Sequence, residues 1–193
     1  MKITYLGTGF LAMALVLTVG SNSVFAKRPT IQIEKAYGNP DSLKVENLTK
    51  DLKKMKPIIV SEFKAKFKKE VAGFKLTEVD AFEDKDTGSF ATANYKKGDQ
   101  NVYLMVADGA GQGADQVKSS LLNYLEIKAI EEPGDKLIIK SYKGWQALFD
   151  SSMYESDEMA NIQYLEGNRY SIVASGNKIS LEEVKALLDN ISL

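Results

Sequence analysis

Catalysis needs side chains that exchange protons, attack electrophiles or hold metals, and this chain of 193 residues has few of them. It contains neither histidine nor cysteine, which removes the commonest general base, the thiol nucleophile and the usual zinc ligands. Carboxylate pairs and serine–lysine arrangements remain, so a hydrolase built on them is one reading. The acids, however, fall mostly in turns and at helix starts, where solubility and the helix dipole account for them. Asp84 and Asp86 ahead of Gly88 supply part of a calcium loop, but the further ligands and its bidentate glutamate are missing. An acidic hairpin turn is the better reading. No metal site and no cofactor are expected.

One stretch imitates a nucleotide fingerprint. Gly109-Ala-Gly111-Gln-Gly-Ala114 has the G-x-G-x-x-A spacing, follows an apolar strand, opens a helix, and has Glu131 about 20 residues on, where a dinucleotide fold places its ribose acid. The strand before it reads as the hairpin partner of its predecessor, so no parallel βαβ unit is available. A small anion at the helix amides is the most this corner offers, and nucleic acid is not expected as a partner. For ligand recognition the suggestive side chains are Trp145, the sole tryptophan, and Arg169, one of two arginines after residue 26. Tyr95 and Tyr164, each ending a strand, are expected in the core.

The elements that must position these residues are organised by a repeat. At a shift of 67, Asn101, Tyr103, Val106, Ala107, Gly109, Val117, Lys118, Leu121 and Asn123 recur as Asn168, Tyr170, Val173, Ala174, Gly176, Val184, Lys185, Leu188 and Asn190. Upstream, at a shift of 69, Ala91, Tyr95 and Gly98 recur as Ala160, Tyr164 and Gly167. This reads as a duplicated strand-strand-helix unit, with copies over 89–127 and 158–193. Ser180 and Glu183 form a capping box at the second helix, with Ile179 and Val184 as a hydrophobic staple. Superposing the copies predicts a common inner face of Ala91, Ala93, Tyr95, Tyr103, Met105 and Ala107 with their counterparts, carrying both copied helices. The other face then presents Val102, Leu104 and Val106 in one copy but Arg169, Ser171 and Val173 in the other. Val102 and Leu104 therefore need a cover; without one they form a ligand or partner surface.

The natural cover lies upstream. From Val45 to Val71 apolar residues recur every three or four positions, through Leu48, Leu52, Met55, Ile59, Phe63 and Phe67, as on an amphipathic helix. Pro57 must kink it or split it in two, since proline costs about 3 kcal/mol inside a helix. Its other face carries lysines, Lys53, Lys64 and Lys68 among them, which suit either solvent or an anionic lipid or polymer surface. Residues 27–76 hold 13 Lys/Arg against 6 Asp/Glu and residues 77–193 hold 11 against 20. That asymmetry is read as attraction within the chain before an anionic partner. Strands follow from Phe74, seven in all, with links too short for parallel crossovers.

Residues 1–26 read as a secretory signal: Lys2, an apolar run from Leu11 to Val19, and small residues leading to cleavage after Ala26. The apolar run is shorter than the roughly 20 residues of a spanning helix. Residues 27–44 are a leader, with Pro29, Gly38, Pro40 and a brief Ile31-Gln-Ile33 alternation, and 45–193 form a single domain. Tyr95 before its turn, Val106-Ala-Asp108, Ser141-Tyr-Lys-Gly144 and Asn168-Arg-Tyr-Ser-Ile172 together resemble a family of small exported bacterial proteins without an assigned activity. The resemblance implies an exported, duplicated α+β domain and transfers no functional residue. The expectation is an α+β domain with an antiparallel sheet of about seven strands, helices packed on it and an extra kinked N-terminal helix. It is periplasmic or secreted and non-enzymatic, and binds an unidentified protein or small ligand of the cell envelope. A carboxylate or serine hydrolase and a membrane-surface protein acting through the lysine face are the alternatives.

Overall fold

The computed structural model describes residues 40–193; the segment 1–26 read above as a secretory signal and the expected leader as far as residue 39 lie outside the described residues. The period-two pattern from Phe74 onward becomes one antiparallel sheet. Its strands are β1 (Glu70–Val71), β2 (Phe74–Asp84), β3 (Gly88–Lys97), β4 (Gln100–Asp108), β5 (Leu137–Tyr142), β6 (Trp145–Asp150), β7 (Met159–Glu166) and β8 (Tyr170–Asn177). Eight strands lie in the order β1-β2-β3-β4-β8-β7-β6-β5. The strand beyond the seven expected is β1, two residues that fold back on β2. Among the described residues five α-helices accompany the sheet: α1 (Pro40–Leu52), α2 (Val60–Ala65), α3 (Ala114–Ile130), the single turn α4 (Tyr154–Asp157) and α5 (Leu181–Asp189). The class is α+β.

The strand order repeats as the duplication predicts. Each half is a meander ending in a central strand, β4 or β8, that leads into a helix, α3 or α5. The residue faces do not repeat. β3 and β4 pair out to Lys97 opposite Gln100, leaving a two-residue turn; β7 and β8 pair out to Glu166 opposite Tyr170, leaving three. Because strand side chains alternate, an odd difference exchanges the faces of everything that follows. Thus Val102, Leu104 and Val106, not Tyr103, Met105 and Ala107, lie beside Ala91, Ala93 and Tyr95. Tyr103 is 36% exposed while its counterpart Tyr170 is 5% exposed.

The same exchange corrects the placement of the helices. Both copied helices were expected on one face, yet α5 covers the front of the sheet, where Val184, Leu187 and Leu188 join Leu104, Ile162 and Ile172. Helix α3 covers the back, where Val117, Leu121 and Tyr124 join Leu148 and Leu165. The local joint is conserved between the copies even so. A Cβ on Gly109 would stand 2.7 Å from Val117 and one on Gly176 would stand 2.5 Å from Val184, so each strand needs glycine where the first valine of its helix packs. The chain keeps this strand–glycine–valine joint and changes the face.

Pro57 splits the N-terminal helix, and the halves part company. Helix α1 lies on the back beside α3, with Val45 and Leu52 in its cluster, while α2 lies on the front with Phe63 fully buried. Phe63 stacks with Phe67 and tilts against Tyr170, ring centres 6.4 and 5.6 Å apart. A buried side chain of this size contributes about 1.5–3 kcal/mol over an exposed one. The apolar stripe therefore serves both faces, not one as expected.

Candidate functional site

Two of the ligand candidates of the sequence, Trp145 and Arg169, are both tied to the turn between β7 and β8, but through different partners. Asn168 takes the left-handed conformation there, with φ 57°, and its Oδ1 accepts a hydrogen bond of 2.7 Å from Trp145 Nε1. The next residue, Arg169, turns the other way. Its Nε and Nη2 donate to the two carboxylate oxygens of Asp108 at 2.7 and 2.8 Å, and Asp108 is wholly buried. Asp108 also accepts from the backbone N–H of Ile58 at 2.7 Å and of Ala110 at 3.1 Å. Arg169 Nη2 donates further to the Lys56 carbonyl at 3.1 Å. The Asp108 hydrogen bond raises the Arg169 pKa above its ordinary value, against the opposing effect of burial.

This centre is structural in its geometry. The break at Pro57 strips helical partners from Lys56 and Ile58, and a buried backbone group without a partner is costly. Arg169 serves the Lys56 carbonyl, Asp108 serves the Ile58 N–H, and Ser89 Oγ donates to the Ile58 carbonyl at 2.8 Å. The pair thus fastens the crossing from back to front to the ends of β4 and β8. The apparent nucleotide fingerprint belongs to the same joint. Gly113 lies so close that a Cβ would fall 1.9 Å from the Asp108 carbonyl oxygen, and β4 runs antiparallel to both of its neighbours.

Trp145 faces different surroundings. A cavity of about 160 Å³ opens between α1, α3 and the β5–β6 hairpin. Val45, Leu121, Leu125 and Trp145 form its apolar wall, and Asp41, Lys44, Ser141 and Gln146 its polar rim. Lys44 Nζ lies 4.0 Å from the centre of the Trp145 ring and donates to the Gly144 carbonyl at 2.7 Å. The tryptophan is 8% exposed, its indole N–H is already bonded to Asn168, and its ring is left to pack and to line the opening.

The remaining candidates are engaged elsewhere. Val102 and Leu104 are both fully buried in the cluster that contains Phe63. They are core, and the ligand face considered for them is covered. Lys53 pairs with Asp115 at 2.8 Å and Lys64 with Asp80 at 2.6 Å, while Lys68 Nζ donates to the Asn190 carbonyl at 3.3 Å. The basic front thus meets acids of the body at two of these lysines. Tyr95 and Tyr164 are core, each 1% exposed; burial pushes Tyr95 up to about 12 and raises Tyr164 as well.

A second polar cluster gives no signal in the sequence. At the β5–β6 turn, Lys143 has φ 49° and pairs with Glu166. It also donates to the Leu188 and Ile191 carbonyls at 3.0 and 3.2 Å, closing the end of α5. Tyr142 donates to Asp189 Oδ1 at 2.8 Å, and Asp189 Oδ2 accepts from Lys185 at 2.7 Å. The partners of Lys143 stand 23 to 48 residues away, so no spacing rule finds them. Asp84, considered for a calcium loop, spends Oδ1 on Asp86 N, Thr87 N and Thr87 Oγ1, each within 2.9 Å. Among the described residues no group of three or more acidic side chains is placed to hold a metal ion, and no helix is long and apolar enough to cross a membrane. Compared with family models, with curated proteins and with solved structures, the chain matches none.

Proposed function

We propose that this chain is an exported, non-enzymatic binding domain that takes a small ligand into the cavity beside Trp145. One observation carries the reading: the only tryptophan of the chain forms one wall of an opening of about 160 Å³ whose rim holds Lys44, Ser141 and Gln146. Apolar walls with a few convergent polar groups are the usual make-up of a small-molecule site. Export rests on the signal-like residues 1–26, so the ligand is one met in the cell envelope or outside it. The lysine-face alternative has less in its favour, because Lys53, Lys64 and Lys68 already have partners within the chain.

Trp145 makes the proposal directly testable, since all tryptophan fluorescence comes from the site. Titration with envelope-type small molecules (amino acids, short carboxylates, amino sugars) is expected to give a saturable change with at least one class. That change should weaken when Lys44 or Gln146 is replaced by alanine. Lack of any saturable response at millimolar concentration, together with co-sedimentation on anionic vesicles at low salt, would transfer the function to the lysine face.

A further inference from the structure

We infer that the Trp145 cavity selects a small organic carboxylate with an apolar body. This rests on the reading of the cavity as a binding site and specifies its chemistry. The rim is rich in unused donors. Lys44 Nζ has one carbonyl acceptor and one aromatic face as partners, and no carboxylate of the described residues lies within ion-pair distance of it. An ammonium has three donors, so its charge and at least one hydrogen remain for a ligand at the mouth. Gln146, on the same rim, uses Oε1 to accept from Lys128 Nζ at 3.0 Å, and its amide nitrogen is a further donor. Ser141 stands exposed at the same rim. Two neutral donors and a cation around one opening match the acceptors of a carboxylate.

The remainder of the cavity sets the other half of the ligand. Beside Gly144 it is lined by Val45, Leu121, Leu125 and Trp145, so the part of the guest that meets these side chains is hydrocarbon or aromatic. Size follows from the volume of about 160 Å³: an apolar cavity of about 150 Å³ holds a benzene-sized guest, so about six non-hydrogen atoms fit inside, with the carboxylate at the mouth.

Three probes of similar size decide the point: phenylacetate, its neutral analogue phenylacetamide and the cation benzylamine. Each is titrated into the full protein and followed by Trp145 fluorescence, with calorimetry as a second readout. Phenylacetate is expected to bind saturably and more tightly than the other two. Lys44→Met should weaken it about tenfold or more, the range for losing a hydrogen bond to a charged group, and should weaken phenylacetamide by clearly less. Lys44 is exposed on α1, so this variant keeps its fold, as far-UV circular dichroism will verify. Equal affinity for phenylacetate and phenylacetamide, or preference for benzylamine, overturns the carboxylate inference while leaving the cavity a binding site. If none of the three binds while another class from the broader titration does, the inference again fails alone; if nothing binds, both readings fall.

Discussion

Replacing Arg169 by methionine tests the account of the Asp108 centre most severely. The substitution keeps much of the aliphatic stem but removes both donors at 2.7 and 2.8 Å, leaving a carboxylate with no exposed surface beside two backbone N–H groups. Breaking a buried pair on one side costs about 3–5 kcal/mol, because the surviving charge is left without compensation. That is a large part of the 5–15 kcal/mol typical of a whole domain. Removing both charges, as in Asp108→Leu with Arg169→Met, is often neutral for an isolated pair, but here it is expected to remain destabilising. It orphans the Ile58 and Ala110 N–H groups, and each buried unpaired donor costs about 1–3 kcal/mol. Urea denaturation followed by circular dichroism measures both variants, and hydrogen exchange should show Ile58 losing protection ahead of the sheet. A loss below about 1 kcal/mol for Arg169→Met, or a double variant as stable as the parent, would refute the claim that this pair holds the crossing at Pro57.

Two further outcomes follow from the joints. Gly113→Ala is expected to destabilise by about 1–3 kcal/mol or more, because its Cβ would meet backbone, the Asp108 carbonyl oxygen, at 1.9 Å. Gly134→Ala, at φ +95° with nothing within 4 Å, should cost only the conformational penalty of about 1–2 kcal/mol; thermal denaturation ranks the two, and the reverse order would contradict the close approach. Acid should loosen α5 in particular. The Ser180 backbone N–H, bonded to the Glu183 carboxylate, holds Glu183 below its ordinary 4.5, and the Lys185 hydrogen bond holds Asp189 below 3.8. Groups depressed in the folded state contribute stability above their unfolded values and lose it as pH falls through the folded ones. Exchange protection in α5 should therefore fall below about pH 4.5, and Glu183→Gln should remove the Glu183 part of that dependence.

How far the residues alone disclose this arrangement depends on the range of the interaction. The capping box at Ser180 and Glu183 is present as its spacing predicts, because all its atoms lie within one helical turn. The antiparallel sheet, the break at Pro57 and the core positions of Tyr95 and Tyr164 were equally legible, since strand alternation, a missing N–H and apolar periodicity are local properties. The repeat revealed the duplicated strand-strand-helix unit and the recurrence of Gly109 and Val117 as Gly176 and Val184. It misled about faces, because comparison of aligned residues is blind to a turn of two residues in one copy and three in the other.

The site shows the same division. Trp145 and Arg169 stand out by scarcity, a property of composition, but their roles separate only in three dimensions. Arg169 finds Asp108 61 residues away, a partner that no local pattern indicates, and becomes an internal fastening. Trp145 borders an opening that exists only because α1, α3 and the β5–β6 hairpin converge. Val102 and Leu104 likewise changed from possible surface to core once the split helix placed Phe63 in their cluster. The sequence by itself determined the elements, their antiparallel pairing and the joints between strand and helix, since each depends on residues near one another along the chain. Tertiary structure decided which face each helix covers, which charges are buried and where a ligand has room. Those depend on the parity of a turn and on contacts between distant segments, and neither is written in any single stretch of residues.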